Sequence, residues 1–243
     1  MKQPLISVIV PARNAMPYLP EALASIRAQA ESRLEILVVD GASSDGSREA
    51  VAAFPQARLI EQVGLGLAAA RNSALAAARG DLIAFLDADD LWPAGSLVGR
   101  VAYLAQHPDC AGVSGQVVRF LQPGMRLPPA YANGWLDQPV PGYTPGALLA
   151  RRSVFEHVGP FDPDFTVSCD SDWFARALDH SINLVIVPQI TLHKRIHAGN
   201  LSAQIAAYRR ELLTVARRSL QRRGILSPGG ERAAPPGTEP GAG

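Results

Sequence analysis

Leu82-Ile83-Ala84-Phe85-Leu86-Asp87-Ala88-Asp89-Asp90 is the stretch that decides the fold. Five apolar residues followed at once by a cluster of acids read as a buried strand whose carboxyl end opens into a polar crevice. The same kind of segment recurs upstream. Leu5 to Val10 is a β-branched run ending in Pro11-Ala12-Arg13-Asn14, and Leu34 to Val39 is closed by Asp40-Gly41. Ala57 to Ile60 is a weaker strand. Helical segments lie between them. Pro17 to Ala30 places Leu19, Leu23 and Ile26 on one face. Ser43 to Ser47 reads as a loop and N-cap for a helix reaching about Ala53. Leu67 to Ala78 is alanine-rich, with Gly80 placed as its stop. Alternating strands and helices predict an α/β fold with a mostly parallel sheet flanked by helices.

Beyond Trp92-Pro93 the pattern loosens. A helix is expected over Pro93 to Gln106 and one or two strands over Ala111 to Phe120. Gln122 to Pro145 is rich in proline and reads as a long loop, a length that in compact domains is usually functional or disordered. Asp170 to Asp179 reads as a helix, Ile182 to Val187 as a strand and Ala203 to Arg223 as a C-terminal helix. No internal repeat is visible.

Composition narrows the function. The 243 residues carry 23 Lys+Arg against 22 Asp+Glu, a net charge of +1, which argues against a broad nucleic-acid footprint. With 47% hydrophobic and 19% charged residues the chain is not of disordered composition. Cys110 and Cys169 cannot form a disulfide framework. No apolar run approaches the ~20 residues of a membrane span, and the N-terminal run is too soon broken by Pro11 and Arg13 for a secretory signal. The expectation is a soluble cytoplasmic protein.

Ligands of open parallel sheets bind beyond the carboxyl ends of the strands, so Pro11, Arg13, Asn14, Asp40 and the Asp87–Asp90 cluster are the first candidates. Three carboxylates in a crevice repel one another, and a divalent cation offsets that repulsion. The plainer alternative is a solvated acidic turn ahead of the next helix. Gly64-Leu65-Gly66-Leu67-Ala68-Ala69 also fits the dinucleotide fingerprint, with Asp87 about twenty residues on, which keeps open an NAD(P)-dependent oxidoreductase. Against it, the preceding strand is weak and ends in polar Glu61-Gln62.

Four ordered motifs resemble glycosyltransferase family 2. They are Ser7-Val8-Ile9-Val10-Pro11-Ala12-Arg13-Asn14, Val38-Val39-Asp40-Gly41-Ala42-Ser43-Ser44-Asp45-Gly46-Ser47, Ala70-Arg71-Asn72 and Leu86-Asp87-Ala88-Asp89-Asp90. The resemblance spans residues 5 to 223 and implies the GT-A fold and an inverting, metal-dependent transfer from a nucleotide sugar. It implies a single domain over 1–226, with a nucleotide-sugar half at about 1–92 and an acceptor half at about 93–226. The Pro/Gly-rich tail over 227–243 is expected to be disordered.

By the same resemblance Pro11, Arg13, Asn14 and Asp40 line the nucleoside pocket, with Asp40 accepting from a uracil N–H. Arg71 approaches the diphosphate. Asp87-Ala88-Asp89 matches the family's Asp-x-Asp, where Asp89 chiefly holds Mn²⁺ or Mg²⁺ and Asp87 lies near the ribose. The family often has Tyr at Arg13 and a second acid at Gly41. In Ser168-Cys169-Asp170-Ser171-Asp172, Asp170 takes the place of the general base, although the family's preceding Glu is Cys169 here. Asp170 also reads as a helix N-cap, and Asp172 is its rival as base. Arg195-Ile196-His197-Ala198-Gly199-Asn200-Leu201-Ser202 resembles a late segment whose histidine reaches the diphosphate or metal. His193 and His197 would share a face on a helix, but the pattern H-E-x-x-H is absent.

The last helix carries Arg209, Arg210, Arg217, Arg218, Arg222 and Arg223 against the single acid Glu211. Such a face is either solvated or a contact for anionic lipid, the latter placing the protein at the inner face of the membrane. The acceptor is accordingly a sugar, lipid-linked or small-molecule hydroxyl. A non-catalytic sugar-nucleotide binder is the remaining alternative.

Overall fold

The computed structural model describes residues 3–29, 33–127, 136–200 and 204–227. The four apolar runs become β1 (Ile6–Ala12), β2 (Leu34–Asp40), β3 (Ala57–Glu61) and β4 (Leu82–Phe85), all mutually parallel where they pair. β1 extends through Pro11 and Ala12, which brings Ala12 level with Asp40. Between the strands run α1 (Leu19–Arg27), α2 (Ser47–Ala52) and α3 (Gly66–Ala77).

Period-two burial explains why these segments are strands. Ile6, Val8 and Val10 pack on one face with Leu19, Leu23 and Ile26 of α1. Ile9 joins the other face with Phe85 and the small residues Ala68, Ala70 and Ala74 of α3. Each fully buried Val, Leu or Ile contributes about 1.5–3 kcal/mol, so slipping β1 by one residue would forfeit both faces. Gly80 has a different role from the helix stop expected of it. α3 already ends at Ala77, and a Cβ on Gly80 would lie 2.5 Å from the Ser7 backbone nitrogen. The residue is small because the chain passes against β1 there.

The second half completes a mixed sheet. α4 (Ser96–Gln106) leads into β5 (Gly112–Leu121), followed by the two-residue β6 (Val140–Pro141), a 3-10 turn at Pro145–Ala147, β7 (Leu149–Arg151), α5 (Arg152–Val158), α6 (Cys169–Asp179), β8 (Leu184–Ile196) and α7 (Ile205–Arg222). The order is β3-β2-β1-β4-β7-β5-β6, with β8 pairing β5. β7 runs antiparallel to both β4 and β5, while β5 and β8 are parallel.

Two expectations change here. The strand foreseen over Ile182 to Val187 instead begins at Leu184 and continues to Ile196, so His193 lies in a strand and not on a helix face. Pro188, which has no N–H to donate, falls where the β5–β8 register shifts, in a bulge opposite Gly115. A Cβ on Gly115 would stand 2.4 Å from the Gln189 carbonyl, so the bulge needs glycine. The long loop contains β6, and β7 with α5 follows it, short elements that no periodicity announces. Residues 128–135 of that loop and all of the expected tail except Ser227 lie outside the described residues.

Candidate active site

The carboxyl ends of β1, β2 and β4 open toward one side, and the far end of β8 folds over them. An isolated antiparallel bridge joins Leu91 to His193, which draws β8 onto the acidic turn after β4. Arg195 fastens this junction. Its backbone N–H donates to Asp90 Oδ1 at 2.8 Å, its Nε to the Asp89 carbonyl at 2.9 Å, and its Nη2 meets Glu21 of α1 at 2.6 Å. The guanidinium also lies over the rings of Tyr18 and Phe120.

Within the turn each acid has a distinct environment. Asp87 Oδ1 accepts from Arg71 Nη2 at 3.1 Å. Arg71 is fully buried, with Nη1 3.5 Å from the Cys169 sulfur and the guanidinium over the Phe161 ring. In this arrangement Arg71 orients Asp87 and does not present an open guanidinium to a diphosphate. Burial opposes ionisation of Asp87, yet Arg71 and Lys194 outweigh it and hold the carboxyl below its ordinary range. Ala88 is buried and lets the turn close. Asp90 is inaccessible. Burial, with Asp89 and Asp87 adding, pushes its carboxyl up to about 8, while Lys194 Nζ stands 3.9 Å from Oδ2.

Asp89, like Asp87, is partly open. Its Oδ2 lies 2.8 Å from His197 Nε2 and accepts from Asn200 Nδ2 at 3.2 Å. Asn200 Oδ1 in turn accepts the His197 backbone N–H at 2.7 Å, so one asparagine orients both partners. The Asp89 carboxylate oxygen is a donor suited to Mn²⁺ or Mg²⁺, ions that complete their shells with water and phosphate oxygens, while the imidazole nitrogen beside it suits Mn²⁺ better than the harder Mg²⁺. Among the described residues no group of three or more His, Cys, Asp or Glu side chains forms a full protein cage.

At the β1 and β2 ends, Pro11 is buried while Arg13 and Asn14 are exposed. Asn14 is engaged in holding the loops together, taking the Ser44 N–H on Oδ1 at 2.9 Å and donating its own N–H to Ser43 Oγ. Asp40 is buried and accepts from Arg48 Nη1 at 2.8 Å and from the Ser43 N–H. Despite burial, the Ser43 and Arg48 hydrogen bonds hold its carboxyl below the usual carboxylate range.

The helix N-terminus at α6 separates the two remaining acids. Asp172 is buried and paired with Arg176 one turn on, at 2.8 Å. Asp170 is half-buried, takes the Ser171 N–H on Oδ1 and lies within the electrostatic reach of Arg71 and Lys194. It is not the cap expected of it, since α6 already starts at Cys169. Glu211 of α7 instead holds the segment that leads into the helix. Its carboxylate accepts from the backbone N–H groups of Thr166, Val167 and Ser168 at 3.1, 3.0 and 2.9 Å and from Thr166 Oγ1 at 2.6 Å. Glu211 and Lys194 escaped the sequence reading. The signal for Glu211 was present as the single acid of an arginine-rich helix; Lys194 carried none without the course of β8.

Glycine geometry weighs against the dinucleotide reading. Gly64 and Gly66 both have φ of +85°, but they follow β3, the edge strand of the sheet. The comparisons agree. The model of glycosyl transferase family 2 matches residues 7–159, more than half of the chain. The chain belongs to that family. An uncharacterized glycosyltransferase of Nostoc sp. is 33% identical over 180 residues, covering 65% of this chain and 54% of the relative. A UDP-Glc:α-D-GlcNAc-diphosphoundecaprenol β-1,3-glucosyltransferase of Escherichia coli is 37% identical over 106 residues, 42% of each chain. These matches thus span about half the length of the curated relatives or less. A mannosyltransferase of Pyrobaculum calidifontis solved with GDP-Man and Mn²⁺ superposes with a TM-score of 0.69 at 24% identity, covering 91% of this chain and 65% of that one. The fold is GT-A, with the mostly parallel sheet that the sequence predicts.

Proposed function

We propose that this family 2 chain is the catalytic unit of an inverting, metal-dependent glycosyltransferase. It moves a sugar from a nucleoside diphosphate sugar, UDP-linked, to an acceptor hydroxyl. The observation that carries the reading is the meeting of Asp89 with His197 beside the Arg71-held Asp87, at the strand ends where such a donor binds. The nucleotide-sugar half is assigned to about 1–92 and the acceptor half to about 93–226, with the tail beyond 226 outside both.

In this reading Pro11, Arg13, Asn14 and Asp40 frame the nucleoside. A carboxylate offers about four lone-pair sites, so Asp40 retains acceptor capacity for a uracil N–H beside its Ser43 and Arg48 partners. Asp87 is aimed at the ribose by Arg71, and Ala88 keeps the intervening backbone close to it. A divalent cation, when held by Asp89 and His197, neutralises charge developing on the leaving diphosphate.

Asp170 removes the acceptor proton. As that proton transfers, the acceptor oxygen bonds to the anomeric carbon, and the bond from that carbon to the diphosphate oxygen breaks with its electron pair leaving on the diphosphate. Attack from the face opposite the leaving group inverts the configuration. Asp170 is preferred to Asp172 because the latter is buried and committed to Arg176.

The acceptor we favour is lipid-linked. The E. coli relative acts on a diphosphoundecaprenol acceptor by name. Here α7 presents Arg209, Arg210, Arg217 and exposed Leu213 to solvent, a mixed basic and apolar face suited to the anionic cytoplasmic leaflet. No helix among the described residues is long and apolar enough to cross a membrane, so such contact is peripheral. A thermal-shift comparison tests the donor class: UDP with Mn²⁺ should raise the melting temperature, and stabilisation by NADH alone would refute it.

A further inference from the structure

Lys194 is the residue whose position the proposed chemistry leaves unused. β8 carries it across the acidic turn, where its neighbours in sequence are pinned: the Arg195 backbone N–H to Asp90, His193 to Leu91. Its ammonium is 3.9 Å from Asp90 Oδ2, with the side chain three-quarters covered. Asp90, Asp87, Asp89 and Asp170 all act on its charge, and together they hold it protonated far above any physiological pH. Asp87, Asp89 and Asp170, from two separate segments, thus share one lysine as a counter-charge, and the buried Asp90 carboxyl stands beside its ammonium. Of the neighbouring guanidinium groups, Arg71 is committed to Asp87 and Cys169, and Arg195 to the Asp89 carbonyl, Gln122 and Glu21.

We propose that Lys194 is a built-in cation of the donor site, which competes with the divalent metal for the acidic turn and lends the site affinity for a nucleoside diphosphate when metal is absent. The inference rests on the donor reading under Proposed function. Its physical content is charge balance. A site holding a permanent ammonium repels a dication, because like charges in a partly buried crevice are poorly screened. The same ammonium attracts the diphosphate, which otherwise faces bare carboxylates.

The two consequences have opposite signs, which separates them from a merely structural ion pair. In Lys194→Met, Mn²⁺ alone should bind about tenfold more tightly by titration calorimetry or by the loss of the free-ion EPR signal. Binding of UDP in the presence of EDTA should weaken about tenfold or more in the same variant. Lys194→Arg should stay close to wild type in both. Unchanged or weaker Mn²⁺ binding in a folded Lys194→Met protein overturns the proposal, as does unchanged UDP binding in EDTA. If Lys194→Met fails to fold, the double variant Lys194→Met/Asp90→Asn removes both members of the buried pair and leaves neither charge unpaired. Metal-free UDP affinity should be lost there, and its retention overturns the proposal. Failure of the wild-type protein to bind UDP even with Mn²⁺ would sink the donor reading, and the Mn²⁺-only comparison would still decide the role of Lys194.

Discussion

Asp89 and His197 are 108 residues apart in the chain and 2.8 Å apart in space, and Asn200 holds both. The contact exists because β8 overruns its expected end and returns to the turn after β4. In the proposed mechanism the two side chains form the protein's share of a cation site whose remaining positions belong to phosphate and water.

Asp89→Asn keeps the size and hydrogen-bonding shape of the side chain and removes its charge. Mn²⁺-dependent tightening of UDP binding should fall by about 100-fold or more in this variant, while the melting temperature of the unliganded protein stays near wild type. Calorimetric titration of UDP with and without Mn²⁺ measures both. Undiminished metal dependence in a folded protein removes Asp89 from the metal site.

Asp170→Asn and Asp172→Asn should part company. The former should retain UDP–Mn²⁺ affinity and lose about 10²- to 10⁴-fold in turnover, the range of a positioned general base. The latter breaks a buried pair with Arg176 and should lower the melting temperature by several degrees, an effect of about 3 kcal/mol or more. If Asp172→Asn loses turnover at wild-type stability, the base is misassigned.

Glu211 holds the start of α6, and with it Asp170, through four hydrogen bonds to one carboxylate. Burial opposes its ionisation, but these bonds prevail and keep its carboxyl below the ordinary 4.5. A group with a depressed folded value adds stability that is complete above the unfolded value and lost as the pH falls through the folded one. Glu211→Gln should therefore cost about 2 kcal/mol at neutral pH, and its difference from wild type should shrink on acidification below pH ~4.5. Urea denaturation at pH 7 and at pH 3.5 measures the change. A gap that grows toward acid contradicts this reading.

The N-terminal half was legible because β1, β2 and β4 are dominated by apolar residues and lead directly into Asp, Asn and Gly. Burial on both faces forces such runs, and ligand-facing loops require such ends. β8 was only half legible. Pro188 and Gln189 interrupt its apolar pattern at the bulge, and Lys194 and Arg195 serve polar partners at the acidic turn, so only Ile190 and Leu192 keep the alternation beyond Val187. Asp87, Asp89 and Asp170 could be named from their motifs, whereas Lys194 and Glu211 act through segments distant in sequence. The burial of Arg71 was equally invisible, since it depends on Phe161 and Cys169 arriving from elsewhere.

The α7 face predicts binding to vesicles containing phosphatidylglycerol and not to pure phosphatidylcholine, weakening as salt rises. Arg218 and Arg222 are already paired with Asp162 and Asp179 and should matter less. Replacing Arg209, Arg210 and Arg217 together by Gln should abolish sedimentation with the anionic vesicles. Unchanged sedimentation of that variant assigns the contact to another surface.

Slow donor hydrolysis tests the central claim most directly, because it needs no acceptor. With an α-linked UDP-sugar and Mn²⁺, proton NMR should show UDP release and the free sugar appearing first as its β anomer, with release suppressed by EDTA and by Asp89→Asn. First appearance of the α anomer, or no release from any nucleotide sugar in the presence of Mn²⁺, would contradict an inverting, metal-dependent transferase.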